Sequence, residues 1–297
     1  HFSLLFSVTP AVMLLAIGGG DVQMQVTPID SPTTIGLEGP RVRIAFDRAS
    51  GALVSLWNKA VQDEYLKQAR QTGNPFRVYT DFVGAFELGD DPANLARRAL
   101  DPFSCRLTSF RFGDESDKAD LTLVYRDQAE RWEMRLRVTL AETGVSEWTL
   151  DIINIGEQPA EAMVDFPFFD GVCLGANLRK NLATVLNQVG YIAPAYDHPG
   201  GVYGNGGEWS MQWHCVFDPD SGSALGLILK DPEVGNKQLR ADPSPIRVST
   251  FPERQLQPGE RLTLPPFELL IYQGDWRPTA RAYRDWFAQA FQPMEPP

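Results

Sequence analysis

Apolar and polar residues alternate one by one through much of this chain. In "RVRIAFD" Val42, Ile44 and Phe46 fall on one side, "RASG" supplies turn chemistry, and "ALVSLWN" runs on to Asn58. That pattern predicts a hairpin. "RWEMRLRVTL" puts Trp132, Met134, Leu136, Val138 and Leu140 on one face and Glu133, Arg135, Arg137 and Thr139 on the other, and "EWTLDIINIG" repeats the alternation with Trp148, Leu150 and Ile152. "AMVDFPFF", "ALGLILK", "IRVST" and "LPPFELLIY" add short strands rich in β-branched and aromatic residues; the phenylalanines of "DFPFFDG" are expected in the core and Pro167 at a sheet edge. Strands follow one another from residue 41 to 273 without a helical pattern between consecutive ones, which predicts an all-β antiparallel sandwich.

Helical signals are few. The polar stretch 61–70 and a short turn at 93–100 are candidates, and a third closes the chain. There Asp275 can cap, Pro278 suits a first turn, and Ala280, Tyr283, Phe287, Ala290 and Phe291 recur at helical spacing. Before the sandwich, residues 21–40 read as a linker or a first edge strand.

Composition narrows the function classes. At 297 residues, with 43% hydrophobic and 22% charged residues, the chain can bury a core as one large domain or two small ones. Lys+Arg 27 against Asp+Glu 38 gives a net charge of -11, which repels phosphate backbones, so no nucleic-acid partner is expected. Neither a P-loop, a dinucleotide fingerprint nor zinc-type Cys/His spacing occurs, and no nucleotide, metal or other cofactor is expected. Cys105, Cys173 and Cys215 are too few and too scattered for a disulfide framework, though they would allow one bridge. The apolar run from Phe2 to Ile17, followed by small residues, predicts a secretory leader over residues 1–20, cut near Gly18. Pro10 and the shortness of the run argue against a membrane span, so a secreted or periplasmic protein is expected. The chain begins at His1 with no basic segment before the apolar run, and the true start of the gene product is expected upstream.

Several of these stretches carry a resemblance. "VRIAFDRASGALVSLWNKAVQDEYL", "NPFRVYTDF", "WTLDIINIG", "VDFPFFDGVCLG" and "GEWSMQWHCVFDPDSGSALGLILKDP" resemble landmarks of the galactose-mutarotase-like β-supersandwich at the N-terminal side of exported glycoside hydrolases. The likeness covers about Val42 to Phe287. In that family a catalytic (β/α)8 barrel follows the sandwich, and the joint is similar to "YQGDWRPTARAYRDWF". The resemblance implies a sandwich domain over 41–273 that supports and lines the active site of the barrel, with 274–297 as a connector helix toward a barrel not contained in this chain. It implies a carbohydrate partner, and that this chain alone is inactive, because the two carboxylates that cleave a glycosidic bond would lie on the barrel. A stand-alone carbohydrate-binding module of similar fold, or a structural surface domain, are the other readings.

Four groups of residues are then weighed. Aldose epimerases of this fold use paired histidines and a glutamate as acid and base; here His1, His198 and His214 match no such motif. The glycine-rich stretch "GGVYGNGGEWSMQW" allows Tyr203, Trp209 and Trp213 to stack on sugar faces, with Asn205 and Glu208 hydrogen-bonding to hydroxyls. The favoured reading is a strand from Ser210 to Phe217 whose tryptophans are core, with the glycines making a long hairpin and Trp209 the better placed for exposure. "NPFRVYTDFVGAFELGDD" reads as a solvated acidic turn. For the terminal helix, Tyr283 and Phe287 are expected on the sandwich, with Trp276 or Trp286 left to meet the barrel, since ten residues at ~100° each put these two indoles ~80° apart.

Overall fold

The structure, a computed structural model, describes residues 25–67, 73–80, 105–115, 118–186, 190–195, 201–203, 211–233, 237–240, 246–250 and 255–291. Three antiparallel sheets stack around one core. The first is a meander of β1 (Thr27–Asp30), β2 (Thr34–Glu38), β3 (Val42–Asp47), β4 (Leu53–Asn58) and β5 (Asp63–Glu64). Ahead of residue 41, the described residues 27–30 and 34–38 are therefore strands of the sheet, with β1 at its edge. The second and largest comprises β7 (Cys105–Glu115), β8 (Lys118–Asp127), β9 (Trp132–Ala141), β10 (Val145–Asn154), β12 (Leu182–Val185), β13 (Tyr191–Pro194), β15 (Trp213–Phe217), β16 (Ser223–Leu229), β19 (Arg261–Thr263) and β20 (Phe267–Gln273). Its order is β13-β12-β15-β16-β20-β10-β9-β8-β7, with β19 beside β10. The third runs β14 (Gly201–Tyr203), β17 (Lys237–Arg240), β18 (Ile246–Thr250), β11 (Ala162–Phe169) and β6 (Arg77–Thr80).

The predicted alternation holds where it was strongest. Trp132, Met134, Leu136, Val138 and Leu140 are fully buried, as are Trp148, Leu150 and Ile152 on the neighbouring strand. Trp148 sits where the sheets meet: its ring lies 6.0 Å from Phe46 of the first sheet, 5.7 Å from Phe267 beside it and 5.6 Å from Phe169 of the third. One indole thus joins all three layers. The "RASG" turn closes over this core because Gly51 takes φ 72° and a Cβ there would lie 2.4 Å from the Tyr125 ring, whose hydroxyl donates to the Gly51 carbonyl at 2.8 Å.

Two local expectations change. The stretch from residue 61, expected helical, forms a turn and the short β5 as far as residue 67, because Glu64 Oε1 accepts from the backbone N–H groups of Leu56 at 2.8 Å and Leu66 at 3.1 Å. The first of these ties the stretch to β4, and the second makes the Leu66 amide unavailable to a helix. Pro167 is not on an edge: β11 lies between β18 and β6, and the proline falls where the ladder skips between Asp165 and Phe168. The candidate turn at 93–100 lies outside the described residues. Cys105, Cys173 and Cys215 are buried and form no disulfide.

The helix α1 (Arg277–Ala290) lies on β15 and β16. Pro278 occupies the first turn as its residue type suggests, but the N-cap position falls to Trp276, which makes no side-chain cap; Asp275, one residue earlier, accepts from the Arg277 N–H at 2.9 Å through Oδ1. Thr279 and Tyr283 are its buried residues, and Gly226 of β16 makes the seat: a Cβ there would lie 2.0 Å from Thr279 Oγ1. Beneath the helix, burial pushes the Cys215 thiol up to about 12, so it stays protonated. Among the described residues no helix is long and apolar enough to cross a membrane.

Candidate functional site

Trp213, one of the residues expected to meet sugar, belongs to the core. It is 4% exposed, and its ring stacks on Trp276 of the helix approach at 6.4 Å and 22°. The strand reading of that segment is the one the structure takes. Tyr203 ends β14 opposite Lys237. Asn205, Glu208 and Trp209 lie outside the described residues, as does His198. His214 is buried in β15. Just ahead of that strand, Gln212 Nε2 donates to the Asp231 carbonyl at 2.8 Å, and the Asp231 carboxylate pairs with Lys237 across to the third sheet.

The terminal helix seats differently from the expected row. Trp276, Tyr283 and Trp286 all pack toward the core, while Phe287 is 45% exposed. An apolar stripe on a helix is ~100° wide, so two indoles ~80° apart fit within it after all. Positions 276, 279, 283 and 286 are the row that faces the sheet. Phe287 and Phe291 form a second aromatic pair at 4.6 Å, farther out.

A polar cluster not anticipated as a site lies on the third sheet. Val78, Val164, Val248 and Leu239 join the core from one face. The residues between them point the other way, and pairing across strands aligns Arg77, Asp165 and Ser249 in one row. Tyr79 and Arg247 stand two residues along on the same face, and the one-residue bulge in β11 brings Phe168 opposite Arg247, on that face too. Arg77 opens β6, and the acidic run after it, read as a solvated turn, lies outside the described residues.

The geometry centres on Asp165, which is 1% exposed. Its Oδ2 accepts from the Tyr79 hydroxyl at 2.6 Å and its Oδ1 from the Ser249 hydroxyl at 2.5 Å. Arg247 Nη1 stands 3.7 Å from Oδ2, an ion pair without a hydrogen bond. The Arg77 guanidinium lies 3.9 Å above the centre of the Phe168 ring. Burial, then the Asp165 charge and hydrogen bond, hold the Tyr79 phenol well above its ordinary value, with Arg247 and Arg77 opposing. Tyr79 is therefore a donor at any ordinary pH. With both oxygens engaged, Asp165 anchors this face and is poorly placed to shuttle a proton. What remains for a ligand is recognition, through hydroxyls that can still accept and guanidinium groups that can donate.

No protein-family model matches the chain, and no curated protein matches it. Solved structures do. A GH36 alpha-galactosidase from Geobacillus stearothermophilus aligns with 89% of this chain and 43% of its own, at TM-score 0.57 and 13% identity. A galactose 1-epimerase from Lactobacillus acidophilus aligns over 85% of this chain and 100% of its own, at TM-score 0.57 and 9% identity. A galactose mutarotase-like protein from Clostridium acetobutylicum gives 84% and 99%, at TM-score 0.53 and 10% identity. The fold is the galactose-mutarotase-like β-sandwich. The chain spans less than half of the galactosidase and 46% of a TPR-domain containing protein from Parabacteroides distasonis, which matches at TM-score 0.50 and 13% identity.

Proposed function

We propose that this chain is the N-terminal, non-catalytic sandwich of an exported glycoside hydrolase acting on oligo- or polysaccharides, and that it supports and lines the active site of a (β/α)8 barrel that follows it. The observation that carries this reading is the terminal helix. Its Trp276, Tyr283 and Trp286 are committed to the sandwich while Phe287, beside Phe291, keeps 45% of its surface exposed, so a second body has an aromatic ledge to rest on. The galactosidase match, in which the alignment takes in 43% of the longer protein, supports the same division of labour. On this reading the sandwich contributes binding and the barrel contributes the paired carboxylates.

The test is to compare this chain with the full gene product read from the same coding sequence. Hydrolysis of aryl glycosides and oligosaccharides by the longer protein, and none by residues 1–297 alone, is the expected result. A coding sequence with no barrel, or saturable turnover by the short chain, would overturn it. The matches that span whole mutarotase-like proteins favour a second reading, a stand-alone carbohydrate-binding module. The same comparison separates the two.

A further inference from the structure

The polar face of the third sheet carries an imbalance that its own residues leave open. Two guanidinium groups, Arg77 and Arg247, stand around one carboxylate, Asp165, and both oxygens of that carboxylate are already taken by the Tyr79 and Ser249 hydroxyls. Arg247 reaches Asp165 only at 3.7 Å. The Nε of Arg77 is buried and has no hydrogen-bond acceptor, and the group lies flat on Phe168. Among the described residues neither arginine has a hydrogen-bonded acceptor. A buried guanidinium N–H with no acceptor costs about 1–3 kcal/mol, more than the protein needs to bear for packing, since a leucine or methionine would cover Phe168 as well.

We propose that Arg77 and Arg247 together receive the carboxylate of an acidic sugar, a hexuronate residue, at the rim of this face, the sugar ring staying outside Phe168, which is 4% exposed and covered by Arg77. The inference rests on the carbohydrate reading above and narrows it. A guanidinium is a planar fork that matches a carboxylate in a bidentate manner, and stacking on Phe168 fixes the plane of one fork in advance. Asp165 does not compete, because the two hydroxyls hold it. The side chain of Arg247, 16% exposed, gives the ligand a way in. Since the chain carries a net charge of -11, long-range attraction cannot bring an anion here, and a short-range site of this kind is what binding would require.

Calorimetric titration of the 297-residue chain with trigalacturonate, its trimethyl ester, galactotriose and sodium acetate tests the proposal. Trigalacturonate should bind at least about tenfold more tightly than the ester, the scale of one charge-assisted bidentate pair. Arg77→Gln and Arg247→Gln should each bring the acid-to-ester affinity ratio down to about one, and Arg77→Lys should keep only part of the preference. Acid and ester binding alike, or the glutamine variants keeping the preference, would overturn the proposal. If galactotriose binds as well as trigalacturonate, the proposal falls and the carbohydrate reading stands. If acetate binds as tightly as trigalacturonate, no sugar is being read, and the carbohydrate reading of this face falls with it. Should the variants fail to fold, the acid-to-ester ratio on the unaltered chain decides.

Discussion

On one face of the third sheet Val78, Val164 and Val248 are held by packing alone; on the other, Tyr79, Asp165 and Ser249 are held by directed hydrogen bonds. The strands are the same and the residues alternate between the two faces. Packing accepts any neighbour of suitable volume, whereas the polar face is satisfied only by particular donors and acceptors in particular places. The inner face is complete within the chain. Among the described residues the outer one ends in two arginines without hydrogen-bonded acceptors, and this asymmetry is what the proposed carboxylate site rests on.

Removing the centre of the packed side should give the largest effect. Trp148→Ala takes out the indole that touches all three sheets, and about 3–5 kcal/mol of unfolding free energy should go with it, read from denaturant midpoints. A loss under about 1 kcal/mol would mean that the sheets do not depend on that contact. On the polar side, Asp165→Ala leaves Tyr79 and Ser249 without their acceptor and Arg247 without its ion pair, for a loss of about 3 kcal/mol. The double variant with Arg247→Met should recover part of it. Equal losses in the single and double variants would show that the 3.7 Å pair is not coupled.

The helix seat lies between these extremes. Gly226→Ala forces a methyl group against Thr279 and should cost about 1–3 kcal/mol while shifting the helix, visible as increased quenching of Trp276 fluorescence. Smaller still is a charge effect on β9. Glu133 is buried, which by itself raises its pKa, but hydrogen bonds and charge from Arg135 and Arg126 outweigh burial and hold the carboxyl below its ordinary value. Its contribution is therefore present above the ordinary glutamate pKa and fades as pH falls through the lowered folded value. Glu133→Gln should cost about 1 kcal/mol at neutral pH, a gap that closes on acidification; a pH-independent gap would assign the loss to packing. Phe287→Ser should change stability by less than about 0.5 kcal/mol yet reduce light scattering by the chain, because it removes exposed aromatic surface without touching the core.

Much of the scaffold was legible because strict alternation fixes which side chains are buried. Trp132 through Leu140 needed no knowledge of partners to be placed. The polar cluster was not legible for the opposite reason. "RVYT", "VDFPF" and "IRVST" each show an ordinary polar residue beside a valine, indistinguishable from a solvated strand face, and only the pairing of β6, β11 and β18 brings them together from positions far apart in sequence. The signal that existed was the coincidence of three such strands with charged residues at the same phase. For the terminal helix the spacing was read correctly and its stripe too narrowly, so both indoles were denied a common face that they share.

The skip in β11 also bears on how the strand can change length. Asp165 and Phe168 are three residues apart yet lie on one face, because their partners Ser249 and Arg247 are only two apart. In most strands the loss of one residue reverses every side chain beyond the deletion. Here a single-residue deletion within the skip would straighten the strand and leave Phe168 on its present side, so this stretch of a central strand can shorten by one residue without scrambling either face.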